Sequence, residues 1–236
     1  MNFLTGSPDD LLEKIKHTEL YNDTFCASID LLGTSSLLNR ADTNLIDRLY
    51  NLYYSFQAAD QDYPLSNDVR VCYIADSIWL IREFTIKEPN LNLENEWKTF
   101  CGQIYLISSD ISIHENFGEK TSKDNPCGIR VIISYGKTYD IFKNETWKDK
   151  NNWYALTGPN TALIKCDTAE KKGEKGGFKK NYCFAEIWGE NNRYKGCKLQ
   201  CQKILNNIDL KEKYIEIYNH CFTKSKTIAK LKRNNC

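Results

Sequence analysis

The order in which strand-like and helix-like patterns follow one another between residues 24 and 188 constrains this chain more than any other feature. Residues 24–31 are an apolar run of strand character. From residue 36 apolar positions recur at helical spacing, at Leu37, Leu38, Leu45, Leu49, Leu52, Tyr53 and Phe56, which predicts a long amphipathic helix to residue 59. Pro64, Ser66 and Asn67 punctuate its end. Two β-prone runs, 69–74 and 77–83, flank Ala75-Asp76, which reads as a tight hairpin with the aspartate at its turn. A second helix is expected over 94–113, where Trp97, Phe100, Cys101, Ile104, Ile107 and Ile111 share one face. A strand over 128–140, a helix over 157–172 capped by Asn or Thr, and a strand over 181–188 complete the series.

A β-α-β-β-α-β order with a further α-β pair defines an α+β fold of the split βαβ, ferredoxin-like or palm-like kind: an antiparallel sheet with helices on one face. The length of 236 residues accommodates one such domain with additions. These are a helical lead-in over 1–22, the main domain over 23–190, and a helical extension over 191–236 packed on the same domain and ending in the basic tail 224–233. Residues 115–126 read as a polar loop, 143–152 as an exposed excursion and 173–177 as a flexible glycine-rich segment.

Composition removes several function classes. The 32 basic and 31 acidic residues leave a formal charge of +1, so no global field favours nucleic acid or a membrane surface. The N-terminus has neither a basic n-region nor an apolar h-region, and no stretch approaches the roughly 20 apolar residues of a membrane span. A cytoplasmic protein is the expectation, with neither nucleic acid nor membrane as partner. The ten cysteines are scattered, and Cys26, Cys72, Cys101, Cys166 and Cys183 fall inside apolar runs, which reads as buried reduced thiols. Cys197, Cys201, His220 and Cys221 match no common zinc spacing.

Chemistry concentrates at Asp30 and Asp76. Asp30 closes a strand and is followed by Leu-Leu-Gly-Thr-Ser, a hard oxygen ligand before a turn whose N–H groups can face phosphate oxygens. Asp76 brings a second carboxylate from a hairpin tip. Two carboxylates meeting this way suit metal-assisted phosphoryl chemistry.

Four landmarks over about residues 25–188 resemble the catalytic domain of class III nucleotide cyclases, the adenylyl and guanylyl cyclase superfamily. They are Asp30-Leu31-Leu32-Gly33-Thr34-Ser35; the hairpin Tyr73-Ile74-Ala75-Asp76-Ser77, with Ala in place of the family's Gly; Arg130-Val131-Ile132-Ile133-Ser134-Tyr135-Gly136; and the helix entry Gly158-Pro159-Asn160-Thr161-Ala162. The resemblance implies that Asp30 and Asp76, with the Leu31 carbonyl, hold two divalent ions, Mg2+ or Mn2+. It implies that Leu32, Gly33, Thr34 and Ser35 cradle the β- and γ-phosphates of a nucleoside triphosphate. It further implies a head-to-tail homodimer with sites at the subunit interface.

The departures bear on substrate. Purine cyclases carry a base-reading Lys where this chain has Cys72, beside Tyr73, and a polar partner near Ala155, beside Tyr154. The family's transition-state Asn and Arg align with Ala162 and Cys166, leaving Lys165, or Asn160 one turn earlier, as substitutes. Metal aspartates kept and purine readers replaced resemble the bacterial anti-phage pyrimidine cyclases of Pycsar systems. That implies a cyclic UMP or cyclic CMP product, UTP before CTP as substrate, and an effector reached through the product. The alternatives are a catalytically inactive, cyclase-like nucleotide sensor or interaction domain, and an enzyme that joins nucleotides intermolecularly. The absent Gly-Gly-Asp-Glu-Phe hairpin speaks against a diguanylate cyclase.

Overall fold

The computed structural model describes residues 21–34, 38, 44–84, 91–114, 128–139 and 160–199. Residues 1–20 of the expected helical lead-in over 1–22, the loop 115–126, the excursion 143–152, Ser35, Tyr154, Ala155 and everything after residue 199 lie outside them, while Tyr21 and Asn22 are strand rather than lead-in. Along the chain run β1 (Tyr21–Leu32), α1 (Asn44–Asp62), β2 (Val69–Ile74), β3 (Ser77–Phe84), α2 (Leu93–His114), β4 (Gly128–Tyr139), α3 (Thr161–Lys172), a 3-10 turn (Gly173–Gly176), β5 (Tyr182–Glu186) and β6 (Tyr194–Lys198). They build one six-stranded sheet in the order β2-β3-β1-β4-β5-β6.

The first four strands are antiparallel throughout, with Asp30 opposite Ser77 on β3 and opposite Arg130 on β4. This is the split βαβ arrangement expected from the pattern. β5 then pairs parallel to β4, and β6 antiparallel to β5, so the full sheet is mixed. A parallel neighbour requires a crossover, and α3 provides it.

β1 is central, and its alternation divides the molecule. Phe25, Ala27, Ile29 and Leu31 face the main core with Leu52 and Phe56 of α1 and Trp97, Phe100 and Ile104 of α2. Cys26 faces the other way, into a second cluster with Ile81, Ile132, Ala162, Cys166 and Ala169. One-sided helix packing therefore holds for the two crossover helices of the split βαβ unit, while α3 covers the opposite face. Burial on both faces explains why β1 and β4 read as continuous apolar runs.

α3 lies close to the sheet because small residues meet there. A Cβ at Gly136 would come within 2.6 Å of the Ala162 backbone nitrogen and 2.4 Å of Thr161 Oγ1. Asn160 caps the helix by accepting from Leu163 N at 3.0 Å, and Lys137 N donates to Thr161 Oγ1 at 2.7 Å. Gly136→Ala is expected to lower stability by about 1–3 kcal/mol through forced backbone movement, read as a shift in the urea midpoint at constant slope.

Three boundaries differ from the sequence reading. The first long helix is described over Asn44–Asp62 and ends three residues beyond the expected 59. The glycine-rich segment expected to be flexible is a closed turn, with Phe178 N bonded to Gly173 O at 3.0 Å and Gly177 at φ 88°. Residues 194–198, expected to be helical, are a strand: the backbone reverses after β5 through Gly189 (φ 81°) and Asn192 (φ 61°), and β6 pairs back along β5. Among the described residues Cys26, Cys101, Cys166 and Cys183 are buried free thiols, and Cys72 and Cys197 are partly exposed ones.

Candidate active site

The end of β1 and the β2–β3 turn meet at one end of the sheet. Leu31 N donates to Asp76 O at 2.9 Å, carrying the β1–β3 pairing into the turn. Thr34 Oγ1 donates to Asp76 Oδ2, tying the segment after Gly33 (φ 88°) to the second aspartate. The turn is held from behind by the Tyr53 hydroxyl, which donates to Ala75 O. Ala75 itself sits at φ 52°, a conformation that glycine adopts more readily.

Asp30 is enclosed from three sides. Ser77 Oγ donates to its Oδ1 at 2.9 Å, and Arg130 Nη2 stands 3.5 Å from Oδ2. The third neighbour is Glu170 on α3, whose carboxyl is close enough to act on Asp30 electrostatically and whose Oε1 is buried with no hydrogen-bond partner among the described residues. Arg130 also donates to Glu170 O at 3.3 Å and to Phe178 O at 3.5 Å, so it fastens the end of α3 beside the aspartate.

These contacts set the charges. Burial, with the Asp76 charge adding to it, pushes the Asp30 carboxyl up to about 6 against the pull of Ser77, Arg130 and Glu170. Burial, followed by the Asp30 charge, raises Glu170 from its ordinary 4.5 to about 8. Holding a proton on Glu170 thus spares the site two buried negative charges side by side. The folded state binds more protons than the unfolded one above the ordinary 3.8 of Asp30 and 4.5 of Glu170, so stability falls as pH rises through about 6 and on to about 8. In chelator, the melting temperature is expected to fall over that window, and Glu170→Gln to flatten its upper half.

The donor set suits a hard divalent ion. Two carboxylates and the backbone oxygens beside them match an ion that retains waters and takes its remaining ligands from substrate phosphates. Among the described residues no group of three or more His, Cys, Asp or Glu side chains is arranged to hold a metal by itself. Asp30 and Asp76, with the Leu31 carbonyl, are the residues that would hold one.

Of the other residues singled out in the sequence, only some gather here. Leu31, Leu32, Gly33 and Thr34 adjoin the pair; Ser35 and Tyr154 lie outside the described residues. Cys72 and Tyr73, adjacent on β2, point to opposite faces. Tyr73 packs edge-on against Tyr53 and Phe56 of α1, while Cys72 stands opposite Trp79. The two do not line one pocket within the chain.

Lys165 Nζ donates to Tyr135 O at 2.9 Å and to Glu186 Oε1 at 2.8 Å. Its contact on β4 is five residues from Arg130, about 16 Å along the strand at about 3.3 Å per residue. Ala162 and Cys166 face inward, and Cys166 Sγ lies 3.4 Å from Cys26 O. The sequence reading gave Glu170, Arg130 and Ser77 no role. Glu170 falls one helical turn after Cys166, on the same stripe of α3, and that spacing was the available signal.

No family model matches the chain, and no curated protein matches it in sequence. Among solved structures it is similar to the adenylyl cyclase CyaB from P. aeruginosa, at 12% identity and TM-score 0.38 over 50% of this chain. The chain spans 58% of that protein's length. It is also similar to the dimeric and monomeric forms of the guanylyl cyclase domain of the RhoGC fusion protein from the aquatic fungus Blastocladiella emersonii. Identities are 12% and 14% and the TM-score is 0.41 for each; the overlap covers 71% and 70% of this chain and 81% of each domain. The overlap is one of backbone arrangement and assigns no chemistry to this chain.

Proposed function

We propose that the protein is a metal-dependent nucleotidyl cyclase, converting a pyrimidine nucleoside triphosphate to a 3′,5′-cyclic monophosphate and pyrophosphate. UTP is the preferred substrate and CTP the second. The observation that carries this reading is the joining of Asp30 and Asp76 at one sheet end, through Leu31 N to Asp76 O and Thr34 Oγ1 to Asp76 Oδ2. Mg2+ or Mn2+, when bound, supplies activation of the ribose 3′-hydroxyl and neutralisation of the departing phosphates. Asp30 and Asp76 orient that charge, and Ser77 and Arg130 fix the rotamer of Asp30 from behind. The turn Leu32 to Ser35 offers N–H groups to the phosphate tail.

A homodimer belongs to this reading. The first turn of α3 lies at the other end of the sheet from Asp30, so a cleft using both ends requires a second copy. Base recognition by Cys72 with Tyr154, without Tyr73, is proposed on the same footing, as is an anti-phage signalling role in which the cyclic product activates a separate effector.

A cyclase-like nucleotide sensor is the second reading, favoured by the inward burial of Ala162 and Cys166, which leaves no donor at the positions aligned with the transition-state Asn and Arg. Incubation of the purified chain with each of the four ribonucleoside triphosphates and Mn2+ or Mg2+ separates them. Cyclic UMP and pyrophosphate in equal amounts are expected; binding of triphosphate without turnover by any of the four would leave the sensor.

A further inference from the structure

We infer that the lysine-rich turn after α3 is an anion-capturing rim of the same site, built to receive the polyphosphate tail of the substrate. The inference rests on the nucleotide reading above, but on different residues. Lys171, Lys172, Lys175, Lys179 and Lys180 fall within ten residues, and the first four are exposed. Lys171 pairs with Asp167 one turn earlier, whereas Lys172, Lys175 and Lys179 make no ion pair among the described residues.

Two observations set this run apart from an ordinary solvated helix end. The first is place. The turn joins α3 to β5, and Asn181 N donates to Ile129 O at 2.6 Å, at the start of β4. Gly128 at that start is opposite Leu32 on β1, and Arg130 opposite Asp30. The lysines therefore stand at the sheet end that carries the aspartates and the Gly33 turn.

The second is rigidity. Gly173 N is bonded to Ala169 O, Gly177 N to Glu174 O at 2.9 Å and Phe178 N to Gly173 O at 3.0 Å. Phe178 is buried against Phe184 and Tyr194. Arg130, which stands against Asp30, holds both flanks of the turn through the Glu170 and Phe178 carbonyls. A fixed backbone keeps the lysine stems on one short arc, and several charges together raise the local concentration of an anion where single exposed charges do little.

Inorganic tripolyphosphate, titrated calorimetrically into the full chain without metal, is the direct probe. Binding at low ionic strength is expected to weaken about tenfold in the triple variant Lys172→Gln, Lys175→Gln, Lys179→Gln. The difference should shrink as salt rises and the Debye length falls to about 8 Å. Lys98→Gln, on α2, is the control and should bind as the parent does. No binding by the parent, or binding by the triple variant within twofold of it, would overturn the inference. The two readings fail separately. Lysine-dependent binding in a chain that turns over no triphosphate keeps the rim and removes the cyclase, whereas turnover with an unchanged KM in the triple variant removes the rim alone.

Discussion

Asp30→Asn is expected to reduce turnover by at least about a thousandfold, equivalent to about 4 kcal/mol of transition-state stabilisation, while the chain stays folded. Asparagine keeps an acceptor for Ser77 Oγ and removes a carboxylate whose burial is unfavourable, so the melting temperature in chelator should be unchanged or higher. A second readout is independent of activity. The Asp30 charge helps hold Glu170 near 8, so in the variant the Glu170 carboxyl should titrate lower, measurable by carbon NMR of labelled glutamate. Asp76→Asn should show the same loss of turnover. Full activity in either variant would remove the two-carboxylate site.

Lys165→Ala should destabilise the protein by about 3 kcal/mol or more. Glu186 is fully buried and accepts from Lys165 Nζ, Tyr135 N and Asn192 N. Removing the lysine leaves a buried carboxylate with two amide donors and no counter-charge, a change that costs about 3–5 kcal/mol in comparable buried pairs. The double variant Lys165→Ala, Glu186→Gln should recover part of the loss. A direct part in the reaction predicts the opposite pattern, a fallen kcat with unaltered denaturation. Chemical denaturation and single-turnover kinetics on the same preparations distinguish the two.

How far the residues revealed these features depends on the range of the forces involved. Asp30 and Asp76 were legible because each is a charged residue near the end of a β-prone run, Asp30 in the apolar run of β1 and Asp76 in the turn between two such runs. The split βαβ order followed from the order of such runs and of the helical periodicities between them. What escaped was set across the sheet. Glu170 joins the site only because α3 packs on the face away from α1 and α2, a choice made by Gly136, Ala162 and Cys166 together. Cys72 and Tyr73 seemed a natural pair in one dimension, yet alternation sends them to opposite faces. Residues 194–198 lack a long apolar run, and their strand forms because β5 presents an open edge and Gly189 and Asn192 allow the reversal. Lys165 stood out as a charge on a helix; its buried partner twenty-one residues later gave no local sign.

The close seating of α3 also bears on which substitutions this chain can accept. Cys166 occupies a fully buried place between the helix, the Cys26 carbonyl and the Ile132 carbonyl. An arginine introduced there would bring a cation into a seam sized for a thiol, and the helix would have to lift before the guanidinium reached solvent or substrate. A Cys166→Arg substitution on its own would therefore damage the fold. Any charge acting beside this face of α3 therefore has to be carried by a position outside the seam.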